Sequence, residues 1–138
     1  MAECCGKNKP KASSESCCGG QKKTVLIYAC SGGANVAEIA DKAARQLTFD
    51  GAGSMFCLAG VGAGIQGMVQ TARDADVNLI IDGCPVECGK KVFDKAGLIN
   101  YVHVKVTDLG IEKVKLVRAT DEQVDKVAAK AKDVLAAL

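Results

Sequence analysis

Three times in this chain an unbroken apolar run of strand type stops at glycine and gives way to apolar residues at helical spacing. Thr24 to Cys30 leads through Ser31-Gly32-Gly33 to Val36, Ile39, Ala40, Ala43 and Leu47, with Asn35 as the expected N-cap. Met55 to Ala59 leads through Gly60 to Gly64 to Ile65, Met68, Val69 and Ala72. Asn78 to Asp82 leads through Gly83 to a helix that carries Val92, Phe93 and Ala96 and stops at Gly97. A strand apolar on both faces needs cover on both, and strands linked through single helices run parallel. The repetition predicts an α/β fold, a three-layer sandwich around a mostly parallel four- to five-stranded sheet of flavodoxin-like or Rossmann-like type. Tyr101 to Val106 is the fourth strand, and its alternation of valines with Tyr101, His103 and Lys105 suits a sheet edge. Val114 to Val117 is the candidate fifth strand. Thr120 to Gln123 reads as a capping box opening a last helix, with Val124, Val127, Ala128, Ala131, Val134, Leu135 and Leu138 along one face.

Residues 1–22 break the pattern, with no large apolar side chain beyond Met1 apart from cysteine. They read as a flexible N-terminal tail preceding a single domain over residues 23–138. Net charge is +2 without a continuous basic tract, which argues against nucleic acid as a partner. No stretch reaches the length of a membrane helix and no apolar leader opens the chain, so no membrane partner and a cytoplasmic location are expected. The composition names no protein partner. Eight cysteines in a reducing compartment point to metal or redox chemistry before disulfides.

Position gives the cysteines their meaning. Cys30, Cys57 and Cys84 each fall at or near the end of a predicted strand, and Cys88 follows Cys84 by one helical turn if Pro85 opens the helix. Ligands of parallel sheets collect outside the carboxyl ends of the strands. With strand order 2-1-3-4, Cys30 lies between Cys57 and Cys84, neighbouring strands being about 4.8 Å apart. Four thiolates in a tetrahedron are the preferred surroundings of structural zinc, with Zn–S of about 2.3 Å. Copper(I), arsenite and an iron–sulfur cluster accept the same donors. Cys57 stands two residues before the end of its apolar run and competes as an ordinary core cysteine. Asp82 and Ser31 are candidates to support the ligands through hydrogen bonds, and the two pairs Cys4-Cys5 and Cys17-Cys18 offer an auxiliary metal-capturing arm.

Ala29-Cys30-Ser31-Gly32-Gly33, Met55-Phe56-Cys57-Leu58-Ala59-Gly60, Ile81-Asp82-Gly83-Cys84-Pro85-Val86-Glu87-Cys88 and Thr107-Asp108-Leu109-Gly110-Ile111-Glu112-Lys113 occur in this order. Over roughly residues 24–118 the chain resembles the DGC-domain family of zinc-binding proteins, named for the Asp-Gly-Cys motif. The resemblance implies that Cys30, Cys57, Cys84 and Cys88 chelate zinc. The tail with its paired cysteines lies outside the matching region.

Two other readings compete. Gly62, Gly64 and Gly67 satisfy G-x-G-x-x-G after a predicted strand and before a predicted helix, and Asp82 follows where a ribose-binding acid stands in dinucleotide- or flavin-binding modules. Cys84 and Cys88 near a helix N-terminus also suit a thiol redox or persulfide-carrier protein. Phosphatase chemistry is disfavoured, because Val36 stands where a cysteine phosphate loop needs arginine. His103 is expected on the mixed face of its strand, and Lys90 and Lys91 on a solvated helix face. A closed four-thiolate site leaves no position for water, so storage, handover or structure fits better than catalysis.

Overall fold

The computed structural model describes residues 22–138. The paired cysteines of the N-terminal segment lie outside the described residues. Strands β1 (Val25–Ala29), β2 (Ser54–Met55), β3 (Val77–Asp82) and β4 (Tyr101–Lys105) form one sheet in the order β2-β1-β3-β4, and every pairing is parallel. This is the expected order, with β4 at an edge. β1 and β3 are registered Val25 to Val77 through Ala29 to Ile81, so their carboxyl ends lie level.

Side-chain alternation along the central strands builds two cores. Ile27, Leu79, Ile81 and Val104 point to one face, where α1 (Asn35–Phe49) and α5 (Asp121–Ala136) cover them with Val36, Ile39, Leu47, Val124 and Val127. Leu26, Tyr28 and Ile80 point to the other, under α2 (Leu58–Gly62), α3 (Gln66–Asp74) and α4 (Cys88–Lys95), with Val61, Ala72 and Phe93. Each fully buried large aliphatic or aromatic side chain contributes about 1.5–3 kcal/mol by leaving water. Phe93 also packs edge-on against Tyr28, with centroids 4.9 Å apart. The capping box of α5 forms as expected, Thr120 accepting from Gln123 N–H and the Gln123 side chain accepting from Thr120 N–H.

Five local expectations are corrected. The second strand ends at Met55, and Leu58 to Gly62 coils into a helical turn where strand and glycine loop were expected. Gly60 permits this, because a Cβ there would collide with the sulfur of Met68 on α3. The helix expected after the third strand, α4, starts at Cys88 and not at Pro85. Glu87 takes a left-handed conformation (φ 55°) before it, so residues 84–87 form a turn. Asn35 is the first residue of α1 and Ala34 its cap. Freed from capping, the Asn35 side chain donates to Glu112 O at 2.9 Å and accepts from Val114 N–H at 2.7 Å. Val114 to Val117 is no strand: its one β-pairing among the described residues is the bridge between Ala34 and Lys115, and Leu116 stands almost fully exposed with φ 61°. On α3, only Ala72 of the expected apolar stripe is fully buried, and Ile65 lies outside the core.

Candidate metal centre

The carboxyl ends of β1 and β3 open onto a cleft of about 660 Å³, and Cys30, Cys84 and Cys88 all line it. Each arrives by a different route. Cys30 directly follows β1, its N–H donating to Ile81 O at 3.1 Å. Cys84 sits in the turn after β3, and Cys88 is the first residue of α4. Gly83 lets the turn lie against α1, since a Cβ there would come within 3.0 Å of the Val36 backbone. Its N–H donates to Cys30 Sγ at 3.1 Å. Cys30 and Cys84 are half-buried, whereas Cys88 is exposed. Burial pushes the Cys30 thiol up to about 11; the Gly83 hydrogen bond opposes this, and the nearby Asp82, Cys88 and Cys84 add to it. Lys113 reaches in from the segment after Gly110 and places Nζ 3.4 Å from Cys84 Sγ. Ser31 lines the same cleft.

Cys57 does not line that cleft. It is the exposed N-cap residue of α2. Since Met55 pairs with Ile27, continued pairing would set Cys57 opposite Ala29, one step short of Cys30. It therefore lies at the same end of the sheet, turned to solvent and not into the core. Among the described residues, no three His, Cys, Asp or Glu side chains stand grouped as metal ligands. The donor set nevertheless fits a soft ion in kind: three thiols lining one cleft, and a main-chain N–H group directed at the Cys30 sulfur that suits the charge of a thiolate complex.

Asp82 holds the frame of this site. It is buried, and its Oδ1 accepts from Gly89 N–H at 2.7 Å while Oδ2 accepts from Lys90 N–H at 3.0 Å. The carboxylate thus occupies the anion position at the start of α4 that the sequence had offered to thiolates. His103 Nε2 lies 2.8 Å from the same Oδ2. Burial pushes the Asp82 carboxyl up, but the bonds from His103, Lys90 and Gly89 outweigh it and hold the group below its usual range. Sequence reasoning left His103 unpaired. The signal lay in strand parity: Asp82 is in register with Lys105, so His103 two residues earlier shares its face. Lys105 bridges Glu87 at 3.1 Å and Asp108 at 3.6 Å, tying β4 to the thiol turn.

The glycine motif sits elsewhere. Gly62 closes α2, Gly64 adopts φ 72° in the connection, and Gly67 lies in the first turn of α3. A helical turn precedes them instead of a strand, and Asp82 is enclosed by its own partners, so the strand–loop–helix frame of dinucleotide modules is not formed.

A four-stranded parallel sheet with cysteines at its carboxyl end defines a class of small α/β proteins with a strand-end thiol cleft. Residues 26–131 match the model of the DGC domain, and the chain belongs to that family. A curated relative, the anaerobic and virulence modulator AnvM of Pseudomonas aeruginosa, is 35% identical over 83 residues, covering 60% of this chain and 63% of the relative. This chain thus matches somewhat less than two thirds of that protein's length. No solved structure matches the chain. No helix among the described residues is long and apolar enough to cross a membrane.

Proposed function

We propose that the protein binds a thiophilic metal ion, zinc in the first place, through Cys30, Cys84 and Cys88, with Cys57 as the fourth donor. The observation that carries this reading is the single cleft lined by Cys30 from the end of β1 and by Cys84 and Cys88 from the turn and helix start that follow β3. Zinc would supply charge compensation and cross-linking there, joining two strand ends to the start of α4. The chain's own residues do the rest. Asp82 and His103 fix α4 against β3 and so set where Cys88 starts, while Gly83 N–H offers a hydrogen bond to the Cys30 sulfur. With all four positions taken by sulfur, the site suits structure, storage or handover of the ion over hydrolysis.

A second reading draws on the Lys113 ammonium beside Cys84 and the exposed sulfur of Cys88. That pair supports thiol exchange or persulfide carriage, and the relative's name, a modulator tied to anaerobic conditions, is compatible with a redox-responsive role. Elemental analysis of full-length protein purified without added metal separates the two. The metal reading expects about one zinc per chain in the wild type and in a variant with Cys4, Cys5, Cys17 and Cys18 all changed to serine, and little in Cys84→Ser. Metal that follows the four N-terminal cysteines and ignores Cys84→Ser would locate binding in that segment instead. Metal-free protein in which Cys84 and Cys88 readily form a disulfide would favour the redox reading.

A further inference from the structure

On the far side of Cys88 from the thiol cleft, α3 and α4 border a groove of about 950 Å³. Its apolar floor includes Val61, Val69 and Val92, and its charged lining residues are Arg73, Lys91 and Lys95, with no carboxylate among them. Among the described residues none of these three cations forms an ion pair, whereas the adjacent Lys90 pairs with Glu87. Lys91 and Lys95 are one helical turn apart on α4, an arrangement that repels itself without an anion between the two, and Arg73 adds a third positive charge from α3. Gln66 and Gly67 also line the groove. They are the first two residues of α3, so their N–H groups have no partner within the helix, and no side chain caps that end. A Cβ at Gly64 or Gly67 would meet nothing within 4 Å, which leaves the main chain there open to close approach.

We propose that this groove binds a phosphorylated small molecule with an apolar or aromatic body. The phosphate is held between Arg73, Lys91, Lys95 and the α3 amides, and the body lies on the valine floor. The inference does not depend on the metal reading: it concerns the other flank of α4 and uses none of the thiols as ligands. It also differs from a dinucleotide fold, because it gives Asp82 no part in binding.

Titration calorimetry of the full-length protein at low salt with ADP, pyrophosphate and adenosine tests the proposal. Saturable binding of ADP is expected, with adenosine at least tenfold weaker, pyrophosphate retaining the phosphate contribution, and the Gln66 and Gly67 amide resonances shifting on ADP addition. The variant Arg73→Glu/Lys91→Glu/Lys95→Glu should weaken ADP binding at least tenfold. Lys126→Glu/Lys130→Glu/Lys132→Glu on α5, with the same net charge, should leave it within twofold. The proposal is overturned by absence of saturable binding for both ADP and pyrophosphate, by adenosine binding as tightly as ADP, or by equal losses in the two variants.

Discussion

Asp82 shows how one buried side chain fixes a junction. Hydrogen bonds to a charged acceptor contribute about 1.5–3 kcal/mol each, and removing the acceptor leaves the Gly89 and Lys90 N–H groups without it. Asp82→Ala should therefore destabilise the fold by about 3 kcal/mol in denaturant unfolding. Metal content should fall with it, since Cys88 precedes the first amide that Asp82 holds. Gly89 belongs to the same junction. An added Cβ would press into Ile80 Cγ2 and come within 2.9 Å of Asp82 Oδ1, so Gly89→Ala should cost about 2 kcal/mol by the same assay. Tyr28 tests the opposite sign. Its ring is packed between Phe56 and Phe93, its hydroxyl is buried without a hydrogen-bond partner among the described residues, and burial drives its pKa well upward. Tyr28→Phe keeps the ring contacts and should raise stability by about 1 kcal/mol. A loss of comparable size would mean that the hydroxyl has a partner.

At the scale of elements, the segment from Glu112 to Ala119 borders the thiol cleft with few contacts of its own. Asn35 and Glu38, both on α1, hold it from below: Asn35 grips Glu112 and Val114, and Glu38 accepts from Ala119 N–H at 2.9 Å. That hydrogen bond first, then Lys42, and the charge of Arg118, keep the Glu38 carboxyl below its usual range. A carboxyl whose pKa is lower in the folded state stabilises above its unfolded pKa, and the contribution disappears as pH falls through the folded value. Protection of the Ala119 amide, corrected for intrinsic exchange, should accordingly be flat above the ordinary glutamate pKa of about 4.3 and drop as pH falls below it. In Glu38→Gln the drop should vanish. This segment also marks where the sequence was least legible. Val114 to Val117 has strand-like composition, yet no free strand edge received it, and Asn35 bonded its backbone instead. The same limit applied to Leu58 to Gly62, where contact between α2 and α3 through Gly60 and Met68 overrode a short apolar run that local pattern reads as strand.

For the molecule as a whole, the periodic features were legible and the exceptions were tertiary. Parallel topology and the two-sided core follow from apolar runs that alternate with helical stripes, because few arrangements bury both patterns at once, whereas the order β2-β1-β3-β4 is one of several that the same pattern allows. Bringing Cys30, Cys84 and Cys88 to one cleft follows from the same topology. The outward setting of Cys57, the occupation of the α4 start by Asp82 and the His103 contact do not, since each depends on where a chain turns after its strand ends. X-ray absorption at the zinc edge, on full-length protein with the four N-terminal cysteines changed to serine, reads the ligand shell itself. Four sulfurs at about 2.3 Å are predicted, falling to three in Cys57→Ser with a light atom in the vacated position. A shell dominated by nitrogen and oxygen, or one that Cys30→Ser, Cys84→Ser and Cys88→Ser leave unchanged, would mean that the cleft thiols do not hold the ion.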